Sequence, residues 1–382
     1  MTADTATLSA ADLAATRRPV DEASTLPAAA YVSDQVFALE QRGLFGKSWL
    51  CAGREADIPG VGDYFLREVA GESVVVTRGA AGGVHAWHNV CRHRGSRLLD
   101  EPQGRGLKRV LCPYHSWTYE LDGRLQQAPG IAAGDARLRG RGLVPVRVGL
   151  RDGFIWLNLD ADAPPLEQAL ADLPDLSRFR MGSLVCGKRI EYDVAANWKL
   201  ICENYSECYH CPNAHPQLHR ISDLIARSNR PNQSGECFNG GPMLMREGVQ
   251  TMSMSGQSTL PQIPGLTADD HRYVYYYVVY PNLLLSPHPD YVLTHTAWPL
   301  APGRTRVICE WLFTVEAVNQ PGFDPADVVD FWDVTNRQDW QLCERTQRGA
   351  QSRGFRPGPY APVEDCVHVF DSWYAGKMAA LI

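Results

Sequence analysis

Asn197 to Pro216, reading N-W-K-L-I-C-E-N-Y-S-E-C-Y-H-C-P-N-A-H-P, gathers two histidines, two carboxylates and two prolines into one short stretch. Imidazole and carboxylate at that density can hold a divalent metal. Trp198 to Tyr209 lacks Gly and Pro and reads as a helix, with Glu203, Glu207 and Cys211 at i, i+4, i+8 and with Glu207 and His210 three apart on one face. His215 does not share that face, because five residues rotate it by roughly 140° on a continuous helix. Pro212 prevents the helix from continuing regularly, so the chain must turn there and can swing His215 back beside His210. Two neutral imidazoles and one carboxylate from elsewhere would form the facial triad that leaves positions open on a non-haem Fe(II). The competing reading is a helix end carrying two structurally satisfied histidines.

A second pattern lies upstream. Cys91-Arg-His93 and Cys112-Pro-Tyr-His115 each sit where a strand signal runs into a loop, and two such loops can face one another. Cys91 and Cys112 would then bind one iron of a [2Fe–2S] cluster and His93 and His115 the other. Neutral histidine ligands leave less negative charge at the iron and raise the potential of such centres to about −150 to +300 mV. A zinc site of two Cys and two His is the alternative, but the spacing departs from the short C-x2-C and H-x3-5-H pairs of structural zinc.

The elements that must position these groups fall into two patterns. From Gly60 the period is two: strands are expected at 64–69, 72–78, 84–90, 109–111, 116–121, 143–148 and 154–159, with glycine turns at 79–83 and a hairpin turn at Asp122-Gly123. Before them, residues 1–25 read as a mobile tail and 34–49 as a short amphipathic helix capped by Ser33 or Asp34. Beyond a boundary near 160–165 come a helix at 165–173, a strand at 189–194, the helix of the histidines, and a loop-rich stretch from 221 to 270, expected to be mobile and substrate-facing. Antiparallel strands follow at 273–280, 283–286, 291–298 and 305–315, then a long helix from 325 to 349. A 382-residue chain with formal net charge −6 and 45% hydrophobic residues has room for two or three globular domains, and nothing in it suggests nucleic acid. No apolar run is long enough to span a bilayer and the start lacks an export signal, so a cytoplasmic protein is expected. Eleven cysteines, an odd number, argue for reduced thiols over a disulfide framework, with Cys51, Cys186, Cys237, Cys309, Cys343 and Cys366 expected as small buried hydrophobes.

Cys91-Arg-His93-Arg-Gly-Ser-Arg97, Cys112-Pro-Tyr-His115-Ser-Trp-Thr-Tyr119, Asn197-Trp-Lys and Glu207-x2-His210-x4-His215, in this order, resemble the α subunits of Rieske non-haem iron oxygenases over residues 40–380. The resemblance implies an α+β chain: a Rieske β-sandwich domain (46–162), then a helix-grip, START-like antiparallel-sheet catalytic domain (163–382), with residues 1–45 packing on the latter. It implies a Rieske [2Fe–2S] cluster on Cys91, His93, Cys112 and His115. It implies mononuclear Fe(II) on His210, His215 and an Asp of the last long helix; of Asp330, Asp333 and Asp339, the last best fits the family pattern. Glu207 stands where most members carry Asp, which is similar to the branch oxidising quaternary ammonium compounds such as carnitine, glycine betaine and stachydrine. Glu207 and Asn204 are the candidate catalytic residues. Implied too are O2 as co-substrate, electrons from NAD(P)H through a separate flavin/ferredoxin-type reductase, a small-molecule substrate, and a homotrimer in which Glu207 bridges His210 to a cluster histidine of the next subunit. An aromatic-ring-hydroxylating dioxygenase is the alternative activity. A methylammonium group would be held by aromatic faces; Tyr273, Tyr275 and Tyr277 share one strand face, and Tyr205, Tyr209, Trp298 and Trp332 are further candidates.

Overall fold

The computed structural model describes residues 7–222 and 232–382; the expected mobile loop at 221–270 lies partly outside these residues. The chain divides into two compact units, 41–168 and 1–40 with 169–382, against the expected break at 46 and 162. Three helices open the chain: α1 (Ala10–Thr16), α2 (Ala29–Val32) and α3 (Asp34–Leu39). Part of the expected mobile tail is therefore ordered. The Ser9 hydroxyl accepts the Asp12 N–H (3.1 Å) while the Asp12 carboxylate accepts the Ser9 hydroxyl (2.6 Å), a reciprocal cap that starts α1. Leu13 and Thr16 are buried, and the Thr16 carbonyl accepts from Ser372 of the last helix.

The 41–168 unit is all antiparallel β. Its strands are β1 (Leu50–Arg54), β2 (Tyr64–Val69), β3 (Glu72–Arg78), β4 (Val84–His88), β5 (Gln103–Gly104), β6 (Val110–Leu111), β7 (Thr118–Tyr119), β8 (Leu125–Gln127), β9 (Arg147–Arg151) and β10 (Phe154–Asn158). They form three small sheets ordered β1-β10-β9, β4-β3-β2-β5 and β6-β7-β8. Tyr64, Leu66, Val75, Trp87, Leu98, Val110, Trp117 and Tyr119 make one core, and Cys91 and Cys112 belong to it. Val75, Trp87 and Tyr119 are at most 1% exposed, so the cysteine loops hang from a closely packed base.

A one-turn helix α4 (Leu166–Ala169) replaces the longer helix expected at 165–173. The second unit then builds a seven-stranded antiparallel sheet, β11-β17-β16-β15-β14-β13-β12. Its strands are β11 (Val185–Val194), β12 (Gln233–Ser234), β13 (Phe238–Leu244), β14 (Tyr273–Val279), β15 (Leu283–Pro287), β16 (Val292–Ala301) and β17 (Arg304–Phe313). Helices α5 (Trp198–Tyr205), α6 (Cys211–Ala214) and α7 (Pro216–Ile221) follow β11, while α8 (Val315–Val318), α9 (Ala326–Ala350) and α10 (Asp365–Ala379) follow β17. Helix α9 lies along one sheet face, where Asn336 meets His295 and Cys309, and Asp333 accepts the Tyr192 hydroxyl (2.7 Å). Among the described residues no helix is long and apolar enough to cross a membrane.

Helix α5, which leads to the histidines, is anchored through buried charge. Lys199 Nζ lies 2.6 Å from Glu40, both side chains fully buried, and Tyr374 and Trp198 donate to the same carboxylate. One turn on, Glu203 accepts from Tyr31 (2.9 Å) and shares a hydrogen bond with Asp371, which accepts from Tyr360 (2.7 Å). Burial pushes Glu203 up to about 7. Burial, and then the Glu203 charge, hold Asp371 well above the carboxylate range. Two carboxyl groups in contact away from water therefore keep a proton between them.

Candidate metal centres

The two cysteine loops repeat one backbone device. The Cys91 N–H donates to the Ser96 carbonyl (2.8 Å) while Gly95 N–H returns to the Cys91 carbonyl (3.1 Å); Cys112 pairs likewise with Trp117 (2.8 Å) and Ser116 (3.1 Å). Closing each turn requires a left-handed residue, Gly95 at φ 75° and Ser116 at φ 57°. Each turn projects one thiol and one imidazole. The rings of His93 and His115 lie 4.8 Å apart, and His93 stacks on Trp117 at 4.9 Å. Burial opposes ionisation of Cys112, but backbone N–H groups of Tyr114 and His115, with Cys91 and Ser96, bring its thiol below the ordinary range. Tyr119 stands 3.2 Å from the Cys91 sulfur. The buried Nδ1 of His115 has no hydrogen-bond partner among the described residues. A buried imidazole nitrogen left open beside a stabilised thiolate is a donor set suited to a [2Fe–2S] cluster with mixed sulfur and nitrogen ligation.

Helix α5 stops at Tyr205, four residues short of the expected end, and Ser206 caps it by donating to Cys202. Glu207 and His210 consequently do not share a helical face. The Glu207 carboxylate instead accepts the N–H groups of Tyr209 and His210 at the start of α6, where Pro212 lacks a donor to lose. This folds Glu207 back so that its Oε1 lies 2.6 Å from His210 Nδ1. Glu203, expected on the same face, looks instead into the Tyr31–Asp371 cluster. One turn of α6 then carries the chain to His215, whose N–H donates to Cys211 (2.9 Å), and the two rings meet edge to face at 5.2 Å.

Asp339 of α9 closes the group. Its Oδ1 lies 2.9 Å from His215 Nε2 and 3.2 Å from His210 Nε2. Asp333 is engaged with Tyr192 and Arg337, and Asp330 is exposed. Both Nδ1 atoms are occupied, by Glu207 at His210 and by Gln338 Oε1 at His215 (2.8 Å), so both Nε2 atoms turn toward Asp339. Gln217 donates to the same Gln338 oxygen (2.8 Å) and fixes it. Asn204 Nδ2 sits 3.4 Å from His210 Nε2, on that same side. Burial works against a charged His210, yet hydrogen bonds to Asp339 and Glu207 push it up to about 10, and the same imidazoles pull Asp339 down against its burial. Two nitrogens and a carboxylate oxygen converging this closely favour a cation, and they fit a facial-triad iron. Cys211 is also near, at 3.8 Å from His210 Nε2, but its sulfur is bonded to Cys208.

That Cys208–Cys211 disulfide departs from the expectation of reduced thiols: the turn over Tyr209 and His210 brings the two Cα atoms to 4.9 Å, within bridging reach. Cys186 departs too, being exposed at a bulge of the edge strand β11, whereas Cys51, Cys237, Cys309, Cys343 and Cys366 are buried.

The aromatic wall beside Asn204 is built from the opposite strand parity to the one expected. Tyr275 and Tyr277 line a separate cavity of about 330 Å³ with Pro174, Leu176 and Arg178, and Tyr209 is exposed. Tyr276 points the other way, meeting Tyr205 (5.8 Å), Trp332 (6.2 Å) and His288 (6.5 Å) edge to face. It shares its strand face with Val274 and Val278, at most 1% exposed, while Tyr276 and Tyr205 are half-buried. Tyr205 also meets His295 (6.2 Å), whose ring contacts Trp340, the residue after Asp339. Gln338, Tyr276, His288 and His295 escaped the sequence reading. For Gln338 the available signal was its place beside Asp339; for the histidines, a lone imidazole within an apolar strand run.

A mixed Cys/His cluster fold and a two-His-one-carboxylate group on a helix-gripped sheet together define the oxygenase component of a Rieske system. The chain belongs to that family: residues 181–380 match the ring hydroxylating alpha subunit (catalytic domain), and residues 48–145 match the Rieske [2Fe-2S] domain. It is similar to the glycine betaine monooxygenase oxygenase subunit of Pseudomonas aeruginosa, 32% identical over 94% of this chain and 90% of the relative. The carnitine monooxygenase oxygenase subunit of Escherichia coli is 36% identical over 88% and 86%. Among solved structures, a quaternary ammonium Rieske monooxygenase described for carnitine oxidation and inter-subunit electron transfer superposes with TM-score 0.79 at 26% identity, covering 99% of this chain and all of that one. The protein is accordingly an oxygenase that carries a Rieske cluster and a mononuclear iron and consumes O2 with reductase-derived electrons.

Proposed function

We propose that this chain oxidises a methyl group of a small quaternary ammonium compound and so removes it. The observation that carries the reading is the aromatic cluster of Tyr205, Tyr276, Trp332 and His288, which begins at the residue after Asn204. Aromatic faces in a space shielded from water attract an onium group through their quadrupoles by about 2 kcal/mol or more, without needing a counter-charge. The relatives named for glycine betaine and carnitine support the same reading.

In this proposal Cys91 and Cys112 hold one cluster iron, His93 and His115 the other, and His210, His215 and Asp339 hold Fe(II). The cluster supplies electrons and the Fe(II) supplies O2 activation. Glu207 keeps the proton of His210 on Nδ1, and Gln338 does the same for His215, so both Nε2 lone pairs remain available. The aromatic wall excludes water and presents one N-methyl group toward the triad. One oxygen atom enters a methyl C–H bond; the other leaves as water with two electrons and two protons. The resulting carbinolamine then loses its hydroxyl proton and its C–N bond, giving formaldehyde and a tertiary amine.

A homotrimer that sets the cluster of one subunit near the triad of the next would give Glu207 a second partner, a cluster histidine across the interface. A flavin/ferredoxin-type reductase drawing on NAD(P)H would feed the cluster. The test is formaldehyde release from a panel of betaines and methylated amines with a surrogate reductase. Release from a quaternary ammonium compound, matched by O2 uptake, is the expected result. A cis-diol from an arene with no formaldehyde from any amine would install the ring-dihydroxylating alternative.

A further inference from the structure

We infer that Cys208 and Cys211 form a redox latch on the mononuclear centre: joined, they leave the metal three protein ligands and open positions, and parted, they release the Cys211 thiolate as a fourth ligand that closes the site and suits it to zinc. The inference depends on the triad and not on the identity of the substrate. The disulfide flanks Tyr209 and His210 and so encloses a metal ligand within its own loop. Cys211 is 3% exposed, and its sulfur lies 3.8 Å from His210 Nε2. His210, Cys211 and His215 each offer one donor atom, and the three donors lie within 4.8 Å of one another. Asp339 Oδ1, at 2.9 and 3.2 Å from the two Nε2 atoms, completes a set of two nitrogens, one oxygen and one sulfur. Cys202 and Cys343, also buried, turn to the Pro281 and Leu200 carbonyls instead.

Distance decides whether one ion can take the sulfur with the imidazoles. Metal–sulfur and metal–nitrogen bonds of about 2.3 and 2.0–2.1 Å, set at the tetrahedral angle, put the two donor atoms about 3.6 Å apart. The 3.8 Å between Cys211 and His210 is close to that separation, so the sulfur already stands where the fourth ligand of a tetrahedral site would stand. Its bonding state is then decisive. The thiolate is the metal ligand, and a sulfur bonded to a second sulfur has no such charge to offer. While the disulfide holds, the three-ligand set with open positions that iron chemistry needs is preserved.

Opening the latch is thiol–disulfide exchange with a dithiol reductant. Cys208 is half-buried beside Tyr209, which is 64% exposed in the single chain, whereas Cys211 is buried, so the incoming thiolate meets the Cys208 sulfur. The S–S bond breaks as the new one forms, and its electron pair leaves on Cys211, beside the imidazoles. The second thiol of the reductant then displaces Cys208, which takes up a proton. One dithiol is thereby oxidised to a disulfide, and the protein disulfide is reduced by two electrons to a thiol and a thiolate. A divalent ion takes the Cys211 thiolate in its fourth position, and the remaining proton goes to solvent. Zinc is satisfied by such a closed set, whereas iron held there keeps fewer positions for O2.

The test uses the full chain with its cluster in place and its mononuclear site emptied, dialysed without oxygen against equal Fe(II) and Zn(II). Four samples are compared: wild type with the disulfide joined, wild type reduced with dithiothreitol and freed of it by gel filtration, Cys208→Ser, which keeps Cys211 but cannot join it, and Cys211→Ser, which lacks the sulfur. The zinc-to-iron ratio in the mononuclear site is expected to rise at least about tenfold in the reduced wild type and in Cys208→Ser, no less than the effect of a group that merely orients a ligand imidazole. X-ray absorption at the zinc edge, where the iron cluster does not absorb, should show one sulfur neighbour at about 2.3 Å in those two samples and none in the others. Cys211→Ser is expected to match the joined wild type. A zinc ion without a sulfur neighbour in Cys208→Ser overturns the inference, as does a sulfur neighbour in Cys211→Ser or an equal ratio in all four samples. So does a wild-type chain in which alkylation and mass spectrometry find no Cys208–Cys211 disulfide after exposure to air. The visible band of the cluster reports folding, and if Cys208→Ser does not fold, the reduced wild type carries the same expectation and the same refutation.

Discussion

Replacing Asp371 by Asn tests whether the buried carboxyl pair behind α5 holds a proton. Asp371 is 1% exposed, hydrogen-bonded to Tyr360 and to Glu203, and raised by burial and by the Glu203 charge. An asparagine of the same shape can accept from Tyr360 through its oxygen and donate to Glu203 through its nitrogen, so the variant carries its donor covalently where the wild type must bind a proton. The unfolded chain releases that proton within the ordinary carboxylate range while the native protein keeps it to higher pH. Stability linked to a raised carboxyl group is fully present below the unfolded pKa and is lost as pH rises, at about 1.36 kcal/mol per pH unit for each proton retained.

Wild type and Asp371→Asn should therefore differ least below the ordinary carboxylate range, and the variant should gain on the wild type as pH rises, at up to about 1.36 kcal/mol per pH unit. At roughly 2–4 °C per kcal/mol for a unit of this size, the Tm difference grows by up to roughly 3–5 °C per pH unit. Calorimetric scans at half-unit pH intervals measure it, with the visible band of the cluster separating the transition of the other unit. The difference between the two proteins is the diagnostic quantity, because titrating groups away from the Glu203–Asp371 pair cancel in it. Parallel pH profiles would refute the shared proton, and a variant that loses stability as pH rises would reverse the sign of the argument.

Cys112→Ser and His115→Ala should abolish the visible absorption of the cluster and all turnover, read by absorbance and iron content; a normal spectrum in either would remove that residue from the ligand set. His215→Ala or Asp339→Ala should leave the spectrum intact and delete the mononuclear iron, measured as a loss of one of three irons per chain. Gln338→Ala should weaken mononuclear iron binding by about 10–100-fold, the usual cost of losing the group that orients a ligand imidazole, and undiminished affinity by chelator competition would show that Gln338 is incidental. Glu207→Gln should retain both metal centres, yet in single turnover the reduced cluster should fail to be reoxidised by O2 and substrate. Reoxidation at the wild-type rate would end the bridging role.

What the sequence disclosed and what it hid follow from the range of the forces involved. The strands at 72–78 and 154–158 were legible because alternation and glycine turns are local signals. The four cluster groups and the two histidines were legible because metal ligation demands particular side chains at close spacing. The end of α5 was not. Nothing local forbids helix through Tyr209; the chain leaves it where the Glu207 carboxylate takes the N–H groups of Tyr209 and His210 ahead of α6, a preference decided between two neighbouring elements. The capped order of α1 depends on a partner helix more than 350 residues away in sequence, as the Ser372–Thr16 contact illustrates.

Strand parity was left open by the sequence, and the reason is specific. Tyr273, Tyr275 and Tyr277 form the longer aromatic stripe, and aromatic weight alone favours that face as a cage. The structure buries this stripe on the opposite sheet face, where Arg178 lies over Tyr275 at 5.2 Å and Asp270 accepts the Tyr275 hydroxyl. The face toward α9 instead carries a single tyrosine between two valines, a pattern that reads as ordinary core. What marks Tyr276 out is its unmatched hydroxyl, together with His288 and His295 on the following strands and the turn between them. A core position tolerates Phe and avoids unpaired polar atoms. A tyrosine and two histidines converge where valine, leucine and phenylalanine would pack without penalty, and the polar atoms they leave unpaired among the described residues are a cost that alternation of residue types along a strand does not display.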